Sequence, residues 1–352
     1  MAAAPRCELA WPALAIGLVV ALLSRPREDL LHSECAIKLL WVMGGALALS
    51  WAGLELLAFN SGTAEVLEQW SVLQMGLDPP FLWRTALPLS LLVGVVLLGG
   101  APFHFWAADL FQGGRPWLAP LAVAALQVSG AGWLIRRLEG IERFSEASRL
   151  IESLLGIAAL IAFLVGAATL VFQRRPERRV GTLASLNGAL LLAALASGHG
   201  GRGLHGRLED AVGLWAAHLV LALSGAGTLA RFIHVPSAQP GSGSVLFRRH
   251  PWSGALGLFA LFSLAGVPGT PGARLWLGAA RDLALAGRGG LLMALTAAWL
   301  AAFSGAVLQL REAFGVSTPN AAPTRPVPWR ARAALWLTGG ALLAVAVEQI
   351  TR

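Results

Sequence analysis

The stretch Leu89–Gly114 reads LSLLVGVVLLGGAPFHFWAADLFQGG and decides the class of fold. An apolar run ends at two glycines and Pro102, and His104, aromatic residues and Asp109 then lead to a second glycine pair. Proline interrupts a helix because it cannot donate a backbone hydrogen bond. At membrane depth, the freed backbone groups are tolerated only where protein buries them or where they line a wet cavity. The stretch therefore predicts a broken transmembrane helix.

The composition of the whole chain is that of a helical membrane protein. Its 352 residues are 56% hydrophobic and 13% charged. About 20 apolar residues of helix cross a bilayer core, and β-barrel alternation is absent, so we predict an all-α polytopic membrane protein. We expect ten or eleven transmembrane helices, from the apolar segments 9–24, 37–58, 84–106, 117–135, 150–172, 180–197, 211–233, 252–267, 272–287, 289–311 and 332–349.

The net charge of +8 comes from arginines in short connections between these apolar segments. Such clusters, of which 174–179 is the densest, are typical of cytoplasmic loops under the positive-inside rule. The charge therefore indicates the lipid bilayer and not a nucleic acid as the partner. The bias between alternate loops is small, and it favours a cytoplasmic 174–179 loop.

Nothing in the sequence indicates catalysis or a cofactor within this chain. Cys7 and Cys35 are far apart and have no CxxC or His-rich neighbour, so neither a metal nor an iron–sulfur cluster is predicted. Phosphate-binding glycine motifs are also absent. The N-terminal apolar run has no cleavage-site pattern after it, which predicts a first helix and not a removed signal peptide.

A second break is predicted at Ser263–Gly272, which reads SLAGVPGTPG. Its helix-breaking residues are Pro268, Gly269, Pro271 and Gly272, which correspond to Pro102 in the first break. Paired broken helices in the two halves of a chain are typical of inverted-repeat transporters, whose sites lie near the bilayer midplane. A simple proline kink remains the alternative at each position.

These motifs resemble the antiporter-like membrane subunits of respiratory NADH:quinone oxidoreductase (complex I), and subunit N in particular. The PFHFW run at 102–106 is similar to the segment after that subunit's seventh helix, and 263–272 resembles its SLAGIPPTAGF segment. Gly53–Leu57 resembles GLELLS, and Arg178–Ser185 is a weaker match to KRLLAYSS. The resemblance implies an antiporter-like inverted-repeat bundle, and it implies that the first repeat is truncated here.

The resemblance also indicates where the family carries its proton-conducting lysines. Those positions of the seventh, eighth and twelfth helices are Leu97, Gln127 and Trp276 in this chain, whose single lysine is Lys38. A buried lysine can exchange a proton, whereas leucine and tryptophan cannot and arginine stays protonated. The resemblance therefore implies a membrane-arm subunit whose proton channel is impaired or absent.

Five polar residues remain as proton-path candidates, and each has a plainer alternative. Glu55 is an intramembrane carboxylate, unless it lies at a helix end near water. His104 can exchange protons, or it can satisfy a carbonyl that the break frees. Gln127 can relay a proton only through hydrogen bonds. Arg178 is a loop cation in the plainer interpretation, and His218 is a structural histidine.

We expect a single transmembrane domain, 1–352. It comprises a shortened N-terminal part (1–80), a first broken-helix region (84–200), a second one (205–312), and a loop with the last helix (313–352). The resemblance implies a multi-pass protein of the bacterial inner (plasma) membrane. Its partners would be other membrane subunits, with FMN, iron–sulfur clusters and quinone in partner subunits. Two alternatives stay open: an independent proton-coupled secondary transporter, and a structural or assembly protein without an ion path.

Overall fold

The structure is a computed structural model that describes residues 9–24, 30–75, 80–100, 102–115, 117–140, 145–197, 204–233, 246–247, 250–314 and 327–351. Within these ranges the chain forms thirteen helices. They are α1 (Ala10–Leu23), α2 (Leu30–Ser61), α3 (Val66–Met75), α4 (Pro80–Leu97), α5 (Phe105–Gly113), α6 (Leu118–Leu138), α7 (Ser145–Phe172), α8 (Pro176–Ala196), α9 (Leu204–Ile233), α10 (Pro251–Leu264), α11 (Pro271–Leu285), α12 (Gly289–Ala313) and α13 (Trp329–Thr351).

Ion pairs between helix ends show how the chain alternates across the bundle. Arg179, at the start of α8, binds Glu312 at the end of α12 at 2.8 Å. On the opposite side, Arg288 precedes α12 and binds Glu152 near the start of α7 at 2.9 Å. We call the side that holds the 173–175 connection the arginine side. Helix α8 begins there, and α12 ends there.

We assign ten crossings to the helices of the described residues. Seven are long and apolar enough to span a membrane, and the shorter apolar helices α1, α4 and α10 add three. Helices α5 and α11 continue the crossings that α4 and α10 begin. Helix α3 has ten residues, which is about 15 Å of helix and too short to cross. The chain is therefore a multi-pass membrane protein, and the predicted all-helical fold with ten or eleven crossings is confirmed.

Helix α8 lies at the centre of the bundle and is buried along nearly all of its length. It contacts α5, α7, α9 and α11. The outer helices α2, α7 and α13 direct large apolar side chains outward, among them Trp41, Phe59, Phe172 and Trp336. This arrangement suits a lipid surround, where an exposed apolar side chain costs nothing.

The two predicted broken helices are present, and both break in the same way. Gly99 and Gly266 have φ values of +81° and +71°, which glycine adopts without a Cβ penalty. The backbone N–H of each glycine donates to the carbonyl three residues before it. The N–H of the following residue donates to the carbonyl five residues before itself. This pattern is the Schellman cap of a helix C-terminus. The first crossing runs toward the arginine side and the second away from it, as an inverted repeat requires.

Candidate functional site

The first break is held by Gln127 of α6. Its Nε2 atom donates to the Leu98 carbonyl at 3.2 Å and to the Ala184 carbonyl of α8 at 2.9 Å. Gly188 of α8 lies so near the Leu98 carbonyl oxygen that a Cβ atom there would overlap it. A fully buried neutral amide therefore ties the broken end of α4 to the central helix.

Leu97 is fully buried beside this amide. A Cβ atom built on Gly130 of α6 would lie 2.6 Å from the Leu97 Cβ, so the two helices are in close backbone contact there. One residue earlier, the Val96 carbonyl accepts a hydrogen bond from Trp106 Nε1 at 2.9 Å. The position therefore holds an apolar packing residue, and the carbonyl beside it is satisfied by an indole.

The second break is held by Asn187 of α8. Its Nδ2 atom donates to the Leu264 carbonyl, at the end of α10, and to the Leu183 carbonyl of its own helix, both at 2.9 Å. Trp215 Nε1 of α9 donates to the Asn187 carbonyl at 3.1 Å. We call Gln127 and Asn187 the amide pair, because each binds the backbone where one transmembrane helix is interrupted.

His218 also acts at the second break. Its Nε2 atom lies 3.0 Å from the Ser263 hydroxyl oxygen, and that oxygen accepts a hydrogen bond from the Gly272 backbone N–H at 3.1 Å. The serine thus links the end of α10 to the start of α11, and the histidine orients the serine. In this geometry the His218 ring reaches the second break through the Ser263 hydroxyl.

Trp276 fills the space behind the second break. It is fully buried and stacks on Trp299 of α12, with the ring centroids 5.8 Å apart and the planes at 19°. Trp299 Nε1 donates to the Gly266 carbonyl at 2.9 Å. Gly266 itself contacts the Trp276 ring so closely that a Cβ atom would overlap it. Two indoles therefore occupy the volume where a charged carrier would need polar neighbours.

Two further candidates, His104 and Arg178, lie outside the amide pair. The His104 carbonyl accepts a hydrogen bond from Ser185 Oγ at 3.1 Å. Arg178 pairs with Asp109 at 2.7 Å and donates to Gln112 at 2.7 Å, which fixes α5 to the start of α8.

Glu55 is half-buried on α2. Gly53, two residues before it, packs against the α4 backbone at Ala86 and Ser90. Because α2 and α4 are antiparallel, Glu55 lies at the level of the first half of α4, well before Leu97.

Three residues at the breaks were not singled out from the sequence: Asn187, Ser263 and Trp299. Asn187 left one signal, since it is the only asparagine in the apolar segment Leu183–Ala196. The others gave none, because serine and tryptophan are common in membrane helices. The described residues contain no group of three or more His, Cys, Asp or Glu that could hold a metal ion.

Chemically, the amide pair can hold carbonyls but cannot carry charge. A side-chain amide is a neutral donor and acceptor over the whole physiological range. The Oε1 atom of Gln127 and the Oδ1 atom of Asn187 are buried and have no hydrogen-bond partner among the described residues. Both breaks are thus closed by groups that fix the backbone without bringing a charge to the break.

Comparison with solved structures defines the class of fold. The chain superposes on a chain of respiratory complex I from Thermus thermophilus with bound aureothin, with a TM-score of 0.73, 24% identity, and coverage of 96% of this chain and 72% of that one. A chain of the Mrp complex from Dietzia sp. DQ12-45-1b superposes with a TM-score of 0.75 and 14% identity, and the match covers 97% of this chain and 71% of that one. A chain of an archaeal membrane-bound sulfane sulfur reductase superposes with a TM-score of 0.73 and 16% identity, and the match covers 97% of this chain and 68% of that one. The fold is that of the antiporter-like membrane subunits.

Sequence comparison then shows which of these subunits the chain resembles. The chain is 30% identical over 325 residues to NADH-quinone oxidoreductase subunit N 1 of Solidesulfovibrio magneticus, covering 86% of this chain and 65% of the relative. It is 33% identical over 116 residues to subunit N of Orientia tsutsugamushi, covering 31% and 23%. Models of protein families give no match. The resemblance to subunit N is confirmed, and the chain spans less than two thirds (65%) of the first relative's length.

Proposed function

We propose that this protein is a membrane-arm subunit of an NADH:quinone oxidoreductase that conducts protons weakly or not at all. Its similarity to subunit N and its antiporter-like fold support a place in such an assembly. In this proposal FMN, iron–sulfur clusters and quinone belong to partner subunits. The assembly lies in a bacterial plasma membrane, with the arginine side facing the cytoplasm, as the positive-inside rule favours.

The observation that carries the proposal is the amide of Gln127. It occupies the eighth-helix position of the resemblance, is fully buried, and donates to two backbone carbonyls. A lysine in that place would exchange a proton with its neighbours, whereas the amide stays neutral and fixes the break. Leu97 and Trp276, at the other two positions, have no group that titrates near neutral pH.

Membership of the complex is tested by affinity purification of the tagged chain from gently solubilised membranes, followed by mass spectrometry. Stoichiometric recovery of the other oxidoreductase subunits is expected. Recovery of the chain alone would contradict the proposal. It would favour an independent transporter, which uptake by the isolated protein in liposomes would then test.

Proton conduction is tested by restoring the three lysines together: Leu97→Lys, Gln127→Lys and Trp276→Lys. The assembled complex, reconstituted in vesicles, is expected to pump more protons per NADH with this variant than with the native chain. The matched control is the neutral triple variant Leu97→Met, Gln127→Asn and Trp276→Phe, which should leave the ratio unchanged. A native complex that already reaches full stoichiometry through this chain would refute the proposal.

A further inference from the structure

A cavity of about 360 Å³ opens between the first turns of α10 and α13, on the arginine side. The residues that line it are His250, Pro251, Trp252, Ser253, Trp329, Arg332 and Trp336. The rings of Phe247 and Phe314 are in contact, with centroids 4.5 Å apart and planes tilted by 35°, which places the start of α10 beside the end of α12. The cavity therefore lies at the membrane–water boundary of this side.

The chemistry of the cavity combines one cation with three indoles. Trp252, Trp329 and Trp336 are 71%, 67% and 53% exposed, although tryptophan is usually well buried in a folded chain. Indole rings prefer the headgroup level of a bilayer, where their apolar body and N–H group are both accommodated. Arg330 additionally lies over the Trp329 ring at 5.8 Å.

The charge of Arg332 is not neutralised inside the cavity. Its Nε atom is buried and has no hydrogen-bond partner among the described residues, and none of the lining residues is acidic. The contrasting case is the cavity of about 420 Å³ on the opposite side, where Arg288 is bound by Glu152. Helices α10 and α13 both begin at the cavity that Arg332 lines, and their N-termini add partial positive charge there.

The surface below the cavity is suited to an acyl chain. Trp336, Leu343 and Val347 are exposed and follow one face of α13 away from the arginine side. A molecule with an anionic head and an apolar tail would satisfy the cavity and this face together. Basic pockets between transmembrane helices bind lipid headgroups by this combination of contacts.

We propose that the α10–α13 cavity binds the phosphate headgroup of an anionic membrane lipid, with Arg332 as the phosphate ligand and the three indoles as its walls. The guanidinium donates to phosphate oxygens, and such charge-assisted bonds are among the strongest in proteins. The acyl chains lie along α13. The site is independent of the proton path and of the oxidoreductase assembly.

The test is native mass spectrometry of the full chain, released from detergent with phosphatidylglycerol or phosphatidylcholine titrated separately. The native chain is expected to retain phosphatidylglycerol in preference to phosphatidylcholine. Arg332→Gln should weaken phosphatidylglycerol binding about tenfold while leaving phosphatidylcholine binding unchanged, because only the charged headgroup uses the guanidinium. The matched control is Arg311→Gln, an exposed arginine on the same side that does not line the cavity.

Trp336→Ala should weaken the binding of both lipids, because it removes wall area and not charge. Three results would overturn the proposal. One is equal retention of both lipids by the native chain, which is also the outcome if the cavity serves a protein partner. Another is an equal effect of Arg332→Gln and Arg311→Gln. The third is full competition by glycerol phosphate, which would identify a free phosphate and not a lipid as the ligand.

Discussion

At the scale of single residues, the two side chains of the amide pair have the same physical role at the two breaks. A carbonyl released where a helix breaks is costly in an apolar interior unless it gains a donor. Gln127 and Asn187 each supply an N–H group to such a carbonyl without bringing a charge into the membrane. A charged group there would need further polar partners to offset its own desolvation.

Replacing Asn187 with leucine is expected to lower the free energy of unfolding by about 1–3 kcal/mol, because the Leu264 carbonyl is left buried without its donor. The measurement is denaturant unfolding in mixed micelles. The control is Thr296→Val, which removes an exposed hydroxyl that bonds only within its own helix and should change stability by less than about 0.5 kcal/mol. Equal effects of the two variants would show that the asparagine is not needed at the break.

Two residues that the resemblance aligned with carriers became packing residues. Leu97 lies against Gly130 and Trp276 against Trp299, and their neighbours fit them closely. The sequence was enough to align Leu97 and Trp276 with the lysine positions of the family. It could not predict the indole stack or the Gln127 bonds, because these depend on which side chains from distant helices converge.

At the scale of elements, the two broken helices share a cap whose glycine has positive φ. Gly99→Ala should destabilise the protein more than Gly287→Ala, although both glycines have positive φ. Each variant pays about 1–2 kcal/mol for a left-handed alanine. Only at Gly99 would the new Cβ also lie 2.7 Å from Ser185 Oγ, since Gly287 has no atom within 4 Å of that position.

Thermal unfolding of the two alanine variants, in the same lipid–detergent mixture, measures this difference. The extra cost at Gly99 is expected to be about 1–3 kcal/mol, as for overpacking of a core. Equal melting temperatures would mean that α8 moves away from the break without cost. The breaks themselves were predictable, because glycine and proline act locally and mark the interruption in the sequence.

The supports of those breaks were less predictable than the breaks. Asn187 and Leu264 are separated by 77 residues, and their bond exists only because α8 lies between the two broken helices. Helical periodicity does not indicate that contact, since α8 is buried on nearly all sides and has no single core-facing stripe. A lone asparagine in an apolar segment is the one sequence feature that could have directed attention there.

At the scale of the whole molecule, apolar segment length predicted the crossings well. The remaining question was whether 252–267 and 272–287 cross once or twice, and the contacts at their outer ends decide it. The cavity at the start of α10 and the Arg288–Glu152 pair beyond the end of α11 lie on opposite sides. The two segments therefore make one crossing, which hydropathy alone could not establish.

Orientation is tested by single cysteines in a variant that lacks Cys7 and Cys35. Cysteine in place of Gln173, on the arginine side, should react with a membrane-impermeant thiol reagent only in inside-out vesicles. Cysteine in place of Gly287, on the opposite side, should react only in right-side-out vesicles, because short arginine-rich loops stay in the cytoplasm. The reverse labelling pattern would contradict the proposed orientation.

Helix α8 supports both breaks, so the two interruptions are not energetically independent. Gln127 bonds to the Ala184 carbonyl and Asn187 to the adjacent Leu183 carbonyl, while Gly188 contacts the Leu98 backbone. Leucine substitutions at Gln127 and Asn187 should therefore give a double-mutant cycle with a coupling of about 0.5–3 kcal/mol, whereas independent sites would add. The two halves of this bundle would then respond to a disturbance as one thermodynamic unit, through a single turn of helix.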